Sequence, residues 1–135
     1  MRALLLSVTL ALTTPVFASA DENCGNATSQ SDMNFCAEKS LTASDAEMNK
    51  VYNEIRGRLK GDAHAIKRLV AAQKAWIAFR DAECDFQSSD VKGGSIYPFL
   101  YNTCADSMTQ ARTKDLKANL SCEEGDLGCP VPPAN

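Results

Sequence analysis

The sequence predicts an all-α protein, a small antiparallel three-helix bundle stapled by disulfides. Three observations carry this expectation. Apolar residues recur at three- and four-residue spacing through most of the chain, the period of one helix face. Two short breaks, at Gly61 and at Gly93 and Gly94, divide that pattern into three segments. Six cysteines, an even number, lie in a short chain that opens with an export signature.

The opening comes first because it sets the compartment. Arg2 precedes the apolar run "ALLLSVTLAL", and "TTPVFASA" then ends in the small-x-small triplet Ala18-Ser19-Ala20. This reads as a signal peptide, residues 1–20, cleaved after Ala20. The run is shorter than the roughly 20 apolar residues of a membrane span. Asp21, Glu22 and Asn23 separate the small residues from Cys24, whereas a lipoprotein carries its lipidated cysteine directly after them. The expected product is periplasmic or secreted, with no membrane anchor in the mature form. Removing 20 of 135 residues leaves 115, enough for one domain. Loss of Arg2 takes the net charge from −3 to −4. An acidic surface argues against nucleic acid and anionic lipid and suits a basic protein partner.

From Ser31 the first helix presents Met48, Val51, Tyr52, Ile55 and Leu59 on one face. Gly61 interrupts it, and Asp62 is placed to cap the second helix. That helix carries Ile66, Leu69, Val70, Gln73, Trp76, Ile77, Arg80 and Cys84 on its stripe. The polar stretch "QSSDVKGGS" breaks the pattern, with Ser95 as a cap for the third helix and Pro98 in its first turn, where no helical N–H is lost. The third stripe is Ile96, Leu100, Cys104, Met108, Ala111, Leu116 and Leu120. The expected divisions are 1–20, a helical domain over 21–121, and a proline-rich tail over 122–135.

Antiparallel packing of neighbours gathers Cys24, Cys36, Cys84 and Cys104 at one end of the bundle, with Cys122 and Cys129 at the other. The short separation of the last two suggests a local loop. At the near end the expectation is Cys36–Cys104 with Cys24–Cys84, the two being exchangeable. No C-x-x-C or His-Cys spacing suggests a metal, and no cofactor is expected.

The polar residues give little sign of catalysis. No G-x-S-x-G, H-E-x-x-H or phosphate-cradling glycine loop occurs, oxidised cysteines supply no thiolate, and His64 stands at a helix start without a nucleophile beside it. Asp81, Glu83 and Asp85 read as solvated surface. The chain is therefore expected not to be an enzyme. Arg80 should reach the level of Leu41 to Asp45, where Asp45 or Asp81 can neutralise it over Trp76. Asp45, Trp76 and Arg80 are thus expected to be structural. The loop around "SSDVKGGSIYPF", held between Cys84 and Cys104, is the candidate binding element, with Lys92, Ser95 and Tyr97 as its contact side chains.

Five blocks occur in order: "SDMNFCA" (Ser31–Ala37), "SDAEMNKVY" (Ser44–Tyr52), "AAQKAWIAFRDAECDF" (Ala71–Phe86), "GGSIYPFLYNTC" (Gly93–Cys104) and "TQARTKDLK" (Thr109–Lys117). Together they resemble the LprI-like family of bacterial secreted proteins, over about Cys24 to Leu120. The resemblance implies a helical, disulfide-stapled envelope domain and, for the namesake, inhibition of lysozyme. The namesake is a lipoprotein, which this chain does not resemble, and the Cys122–Cys129 tail looks like an addition to the pattern. The leading expectation is a protein that binds a basic lysozyme and blocks its cleft. The alternative is a non-inhibitory structural or protein-interaction module of the cell envelope. The sequence leaves the oligomeric state open.

Overall fold

A computed structural model describes residues 24–123 and 125–134. The signal-peptide reading of residues 1–20, and the acidic step at Asp21 to Asn23, lie outside the described residues. Three helices follow one turn of 3-10 helix at Cys24–Asn26: α1 (Gln30–Arg58), α2 (Ala63–Gln87) and α3 (Tyr97–Leu120). No strand occurs among the described residues.

Each helix begins where local chemistry favours it. Ser29 caps α1 by accepting a bond from the Asp32 backbone N–H (3.1 Å), while its hydroxyl donates to the Asp32 carboxylate (2.7 Å). Arg56 and Arg58 occupy the last turn of α1, where the helix dipole favours cations. Gly61 reverses the chain at φ 110°, a left-handed conformation open mainly to glycine. Asp62 then caps α2, accepting from the Ala65 N–H at 2.9 Å. Pro98 stands in the first turn of α3. Ser95 does not cap α3. The residue before the helix is Ile96, already in right-handed helical conformation, so the turn is entered from a tight glycine loop and needs no side-chain acceptor.

The closest seam runs between α1 and α3, which are parallel, and α2 lies antiparallel against α3. The parallel register is visible in bonds between the two helices. Asp106 accepts from Ser40 at 2.8 Å and from Ser44, Lys117 reaches Glu47 at 2.7 Å, and Arg58 donates to the terminal Leu120 carbonyl at 2.9 Å. Burial lifts the Asp106 carboxyl, but hydrogen bonds from Ser44, Ser40 and Gln110 outweigh it and hold the group below its ordinary value.

The core sits at the end away from the α2–α3 loop. Met48, Val51, Ile55 and Leu59 of α1 and Leu116 of α3 are buried there, packed by Tyr52, Ile66, Leu69, Trp76 and Leu120. The first predicted stripe is thus the core face. The other two need correction. Ile77, Ile96 and Leu100 are each more than a third exposed, and Ala111 faces solvent. On α3 the buried line is Ala105, Thr109, Thr113 and Leu116, and small residues there let the α1 and α3 backbones approach. The Thr113 hydroxyl is satisfied locally, donating to the Thr109 carbonyl at 2.8 Å, whereas the Thr109 hydroxyl accepts from Arg80 of α2 at 3.0 Å.

The disulfides also correct the expectation. Cys24 pairs with Cys36 and Cys84 with Cys104, in place of Cys36–Cys104 and Cys24–Cys84, while Cys122–Cys129 pairs as expected. All four near-end cysteines do share one end, but each bonds the neighbour closest in sequence. The 3-10 turn at Cys24 folds back on the second turn of α1, and the α2–α3 reversal brings Cys84 level with Cys104, the Cα–Cα distance being 5.6 Å in each pair. The closed loops span separations of 12, 20 and 7 residues. In the loop-entropy account, bridges this short contribute about 2–3 kcal/mol each.

The tail does more than close a loop. The Cys122–Cys129 bridge turns the chain so that Val131 enters the core beside Leu59 and Leu116, leaving 3% of its surface exposed. Val131→Ala should therefore lower unfolding stability by about 2 kcal/mol, a cost for removing two buried methyl groups. Urea unfolding of the disulfide-intact protein, followed by the fluorescence of Trp76, tests this. An unchanged midpoint would show that the tail adds nothing to the core.

Candidate functional site

The α2–α3 connection is built from its base upward. Ser88 follows the last residue of α2 and is buried, its hydroxyl donating to the Cys84 carbonyl at 2.6 Å. The Ser88 backbone N–H donates to the same carbonyl at 3.1 Å, and together the two bonds carry the helix one residue past its end and set the exit of the loop. Residues Ser89–Val91 make one 3-10 turn. Gly93 then takes φ 84°, and a Cβ on Gly94 would stand 3.1 Å from the Val91 carbonyl oxygen, so a glycine is favoured at each position.

Two predicted contact residues turn back on the protein. The Lys92 ammonium reaches both oxygens of Asp85, at 2.7 and 2.8 Å, and the Tyr97 hydroxyl donates to Asp85 at 2.8 Å. Ser95 is exposed, and its backbone carbonyl accepts a bond from the Asn34 side chain of α1 at 2.9 Å. The loop is therefore tied to α2 through Asp85, to α1 through Asn34, and at its base by the Cys84–Cys104 bridge. The structure gathers Lys92 and Tyr97 around a third residue and leaves Ser95 facing solvent.

The electrostatics follow from this clamp. Hydrogen bonds from Lys92 and then Tyr97 hold the Asp85 carboxyl below its ordinary 3.8. The same bonds raise the Lys92 ammonium and the Tyr97 phenol above their usual values. Tyr101, 5.9 Å from Tyr97 between ring centres, is pushed up mainly by burial. Asp85 is a residue that sequence reasoning set aside as solvated surface. Its partners lie 7 and 12 residues away across a reversal, so no helical spacing marks the cluster.

Beneath the loop lies the second polar cluster. Arg80 donates to Asp81 (2.9 Å), to Asp45 of α1 (2.8 Å) and to Thr109 of α3 (3.0 Å). Its guanidinium stands 5.3 Å from the Trp76 ring centre, and Arg112 of α3 stands 5.9 Å from the same ring. Burial opposes the charge of Arg80, but the bonds and charges of Asp81 and Asp45 exceed it and raise the guanidinium pKa. Asp45, Trp76 and Arg80 thus come together, with both Asp45 and Asp81 bonded to the guanidinium. Sequence reasoning missed Thr109 and Arg112, which arrive from a third helix. Gln73 completes the layer, donating to the Met48 sulfur at 3.3 Å and accepting from Arg112 at 3.2 Å.

Arg80 is almost fully covered, with 11% of its side chain exposed, and its donors are aimed at protein acceptors. It presents little to a ligand. His64 is exposed at the start of α2. Among the described residues no three His, Cys, Asp or Glu side chains are grouped as metal ligands. An open groove of about 550 Å³ between α1 and α3 is lined by Ser44, Glu47, Gln110 and Lys114 and bridged by the Glu47–Lys117 pair. No helix among the described residues is long and apolar enough to cross a membrane.

Comparison with known proteins gives three findings. The family model described as lysozyme inhibitor LprI matches residues 20–116. A protein of Rhizobium meliloti (strain 1021), described as uncharacterized protein R02472, is 36% identical over 131 residues, covering 88% of this chain and 94% of the relative. The crystal structure of a DUF1311 family protein from Pseudomonas putida KT2440 superposes with a TM-score of 0.61 at 25% identity, covering 67% of this chain and 92% of that one.

The Asp85 clamp has a defined pH signature. A carboxyl held below its ordinary value contributes stability that is present above about pH 4 and is lost as pH falls through the depressed value. Carboxyl carbon shifts in an NMR titration should show Asp85 titrating below 3.8 in the native protein. Lys92→Ala and Tyr97→Phe should each move it back toward that value. A native midpoint at or above 3.8 would show that the clamp is not formed in solution.

Proposed function

The chain belongs to the LprI lysozyme inhibitor family, and from that membership we propose that it is a periplasmic or secreted, non-enzymatic protein that binds a muramidase and blocks its cleft. The observation that carries the reading is the α2–α3 loop, which is held at three points before any partner arrives. An inhibitor that occludes a cleft loses less affinity to ordering when its inserting segment is already rigid. Around the glycine turn the loop offers polar and apolar contacts together: the Ser95 hydroxyl, Ile96 at 39% exposure, and a Lys92 side chain 61% exposed. Two of the three Lys92 donors are engaged by Asp85, so its part is to present one remaining donor from a fixed position. Tyr97 holds the loop's base and is not proposed as a contact.

Charge supports the choice of partner. The protein is acidic, with net charge −3 over the full sequence, and an acidic body is steered toward a basic enzyme. A muramidase hydrolyses its polysaccharide with two carboxyl groups set in a cleft, so a wedge across the cleft stops the reaction without chemistry of its own.

A cell-wall lysis assay with purified mature protein and c-, g- and i-type lysozymes tests the proposal. Inhibition at micromolar concentration is expected for at least one type, weakening as salt screens the steering. A Lys92→Ala, Ser95→Ala variant with unchanged helicity should inhibit about tenfold less, the scale for losing contacts near an interface centre. Absence of inhibition against all three types would reject the muramidase reading and leave an interaction module of the envelope. Full inhibition by the variant would reject the loop as the contact element.

A further inference from the structure

α2 carries a second apolar face that the bundle does not use. Ala71, Ala75, Ala78, Phe79, Ala82 and Phe86 recur at three- and four-residue steps, so they line one side of the helix. All six are exposed, and the two phenylalanines are exposed to 56% and 73%. The buried residues of the helix, Gln73 and Cys84, lie on its opposite side with Arg80 and Trp76. Four helical turns of exposed alanine and phenylalanine, without a charge along the line, form a continuous patch on a small soluble domain.

We propose that this face binds a second copy of the chain, α2 against α2 in antiparallel orientation. The charges beside the patch argue for that occupant. Lys67, Lys74 and Asp81 follow at seven-residue intervals, and Asp85 follows Asp81 by four, so all four lie on one flank. The flank is basic in the N-terminal half of the helix and acidic in the C-terminal half. A twofold axis perpendicular to the helices brings this flank of one copy against the same flank of the other with direction reversed. Lys74 of each copy then stands level with the interval between Asp81 and Asp85 of the second copy. In parallel pairing this flank would instead face the opposite one, where Glu83 stands near the level of Asp81 and Asp85. Asp81 and Asp85 keep 46% and 45% of their side-chain surface exposed beyond their internal partners, so they remain accessible.

The same axis, passing beside Ala78 and Phe79, makes the patch complementary to itself in shape. Phe79 meets Ala78 of the second copy, Phe86 meets Ala71, and Ala75 meets Ala82. Each large side chain faces a small one, which lets the helices approach closely. An interface made by one helix of each copy falls among the smaller complexes, below the roughly 1,200–2,000 Å² buried in stable ones, so the dimer is weak and reversible. This interface does not involve the loop residues Ser95 and Ile96, and its test is independent of lysozyme inhibition.

Sedimentation velocity on the mature, disulfide-intact protein from 1 µM to 1 mM at low salt should show a monomer–dimer equilibrium. Phe79→Glu should weaken it at least tenfold with unchanged helicity and melting temperature, since that ring lies outside the core. Lys74→Asp should weaken it less, and high salt should bring wild type toward that variant. A spin label at Glu83 should show an intermolecular distance below about 20 Å, and one at His64 about 40 Å, from a rise of 1.5 Å per residue on either side of the axis. A monomer throughout that range, a dimer insensitive to Phe79→Glu, or short distances at both labels would overturn the proposal.

Discussion

The bundle is organised around one largely covered cation. Arg80 lies in the middle helix, and its donors reach one acceptor on each of the three helices: Asp45 on α1, Asp81 on α2 and Thr109 on α3. A guanidinium this covered is costly to leave unpaired, so only arrangements that bring all three acceptors within about 3 Å are favoured. Trp76 supports the arginine from below, and Arg112 approaches the same ring from α3. An apolar layer would tolerate sliding by a turn at modest cost. A planar fork with fixed donor directions does not, and the α1–α2 register follows from it.

This also accounts for the unusual composition of α2, which buries only Gln73 and Cys84. It is held by a polar layer and a disulfide more than by aliphatic contact. The apolar core lies lower, built by α1 and α3 with Val131 from the tail. Small domains often lack the volume for a large core and rely on cross-links. Here the bridges stand where the core is absent, two at the loop end, while the third positions the plug that completes the core at the other end.

Much of this was legible in the sequence, and what was not has a common cause. The helices, the Gly61 reversal, the Asp62 cap and the α1 core face rest on local spacing, and local spacing is present in one strand of text. The Arg80–Asp45 contact was also accessible, because antiparallel geometry converts distance from a turn into height along the bundle. Thr109, Arg112 and Val131 were not, since each comes from an element whose rotation about its own axis the sequence leaves free. The disulfides erred for the same reason. All four near-end cysteines were placed at the correct height, but pairing depends on which way each faces, and the segment before α1 folds back instead of crossing the bundle. The sequence points Lys92 and Tyr97 outward because a polar loop gives no sign of an internal acceptor, and Asp85 is that acceptor only after the chain reverses.

The clamp changes what the loop can be. Side chains free in solution would lose conformational entropy on binding, whereas Lys92 and Tyr97 have lost it in folding. The segment they hold, Gly93 to Ile96, is left with few side-chain atoms and a fixed backbone. What this segment presents to solvent is a fixed shape and the Ser95 hydroxyl more than a mobile charge. The acidic surface can supply approach, and the loop can supply fit. The surface charge can vary without altering the loop, because the loop's geometry is determined by Asp85, Asn34 and the Cys84–Cys104 bridge rather than by the net charge of the protein.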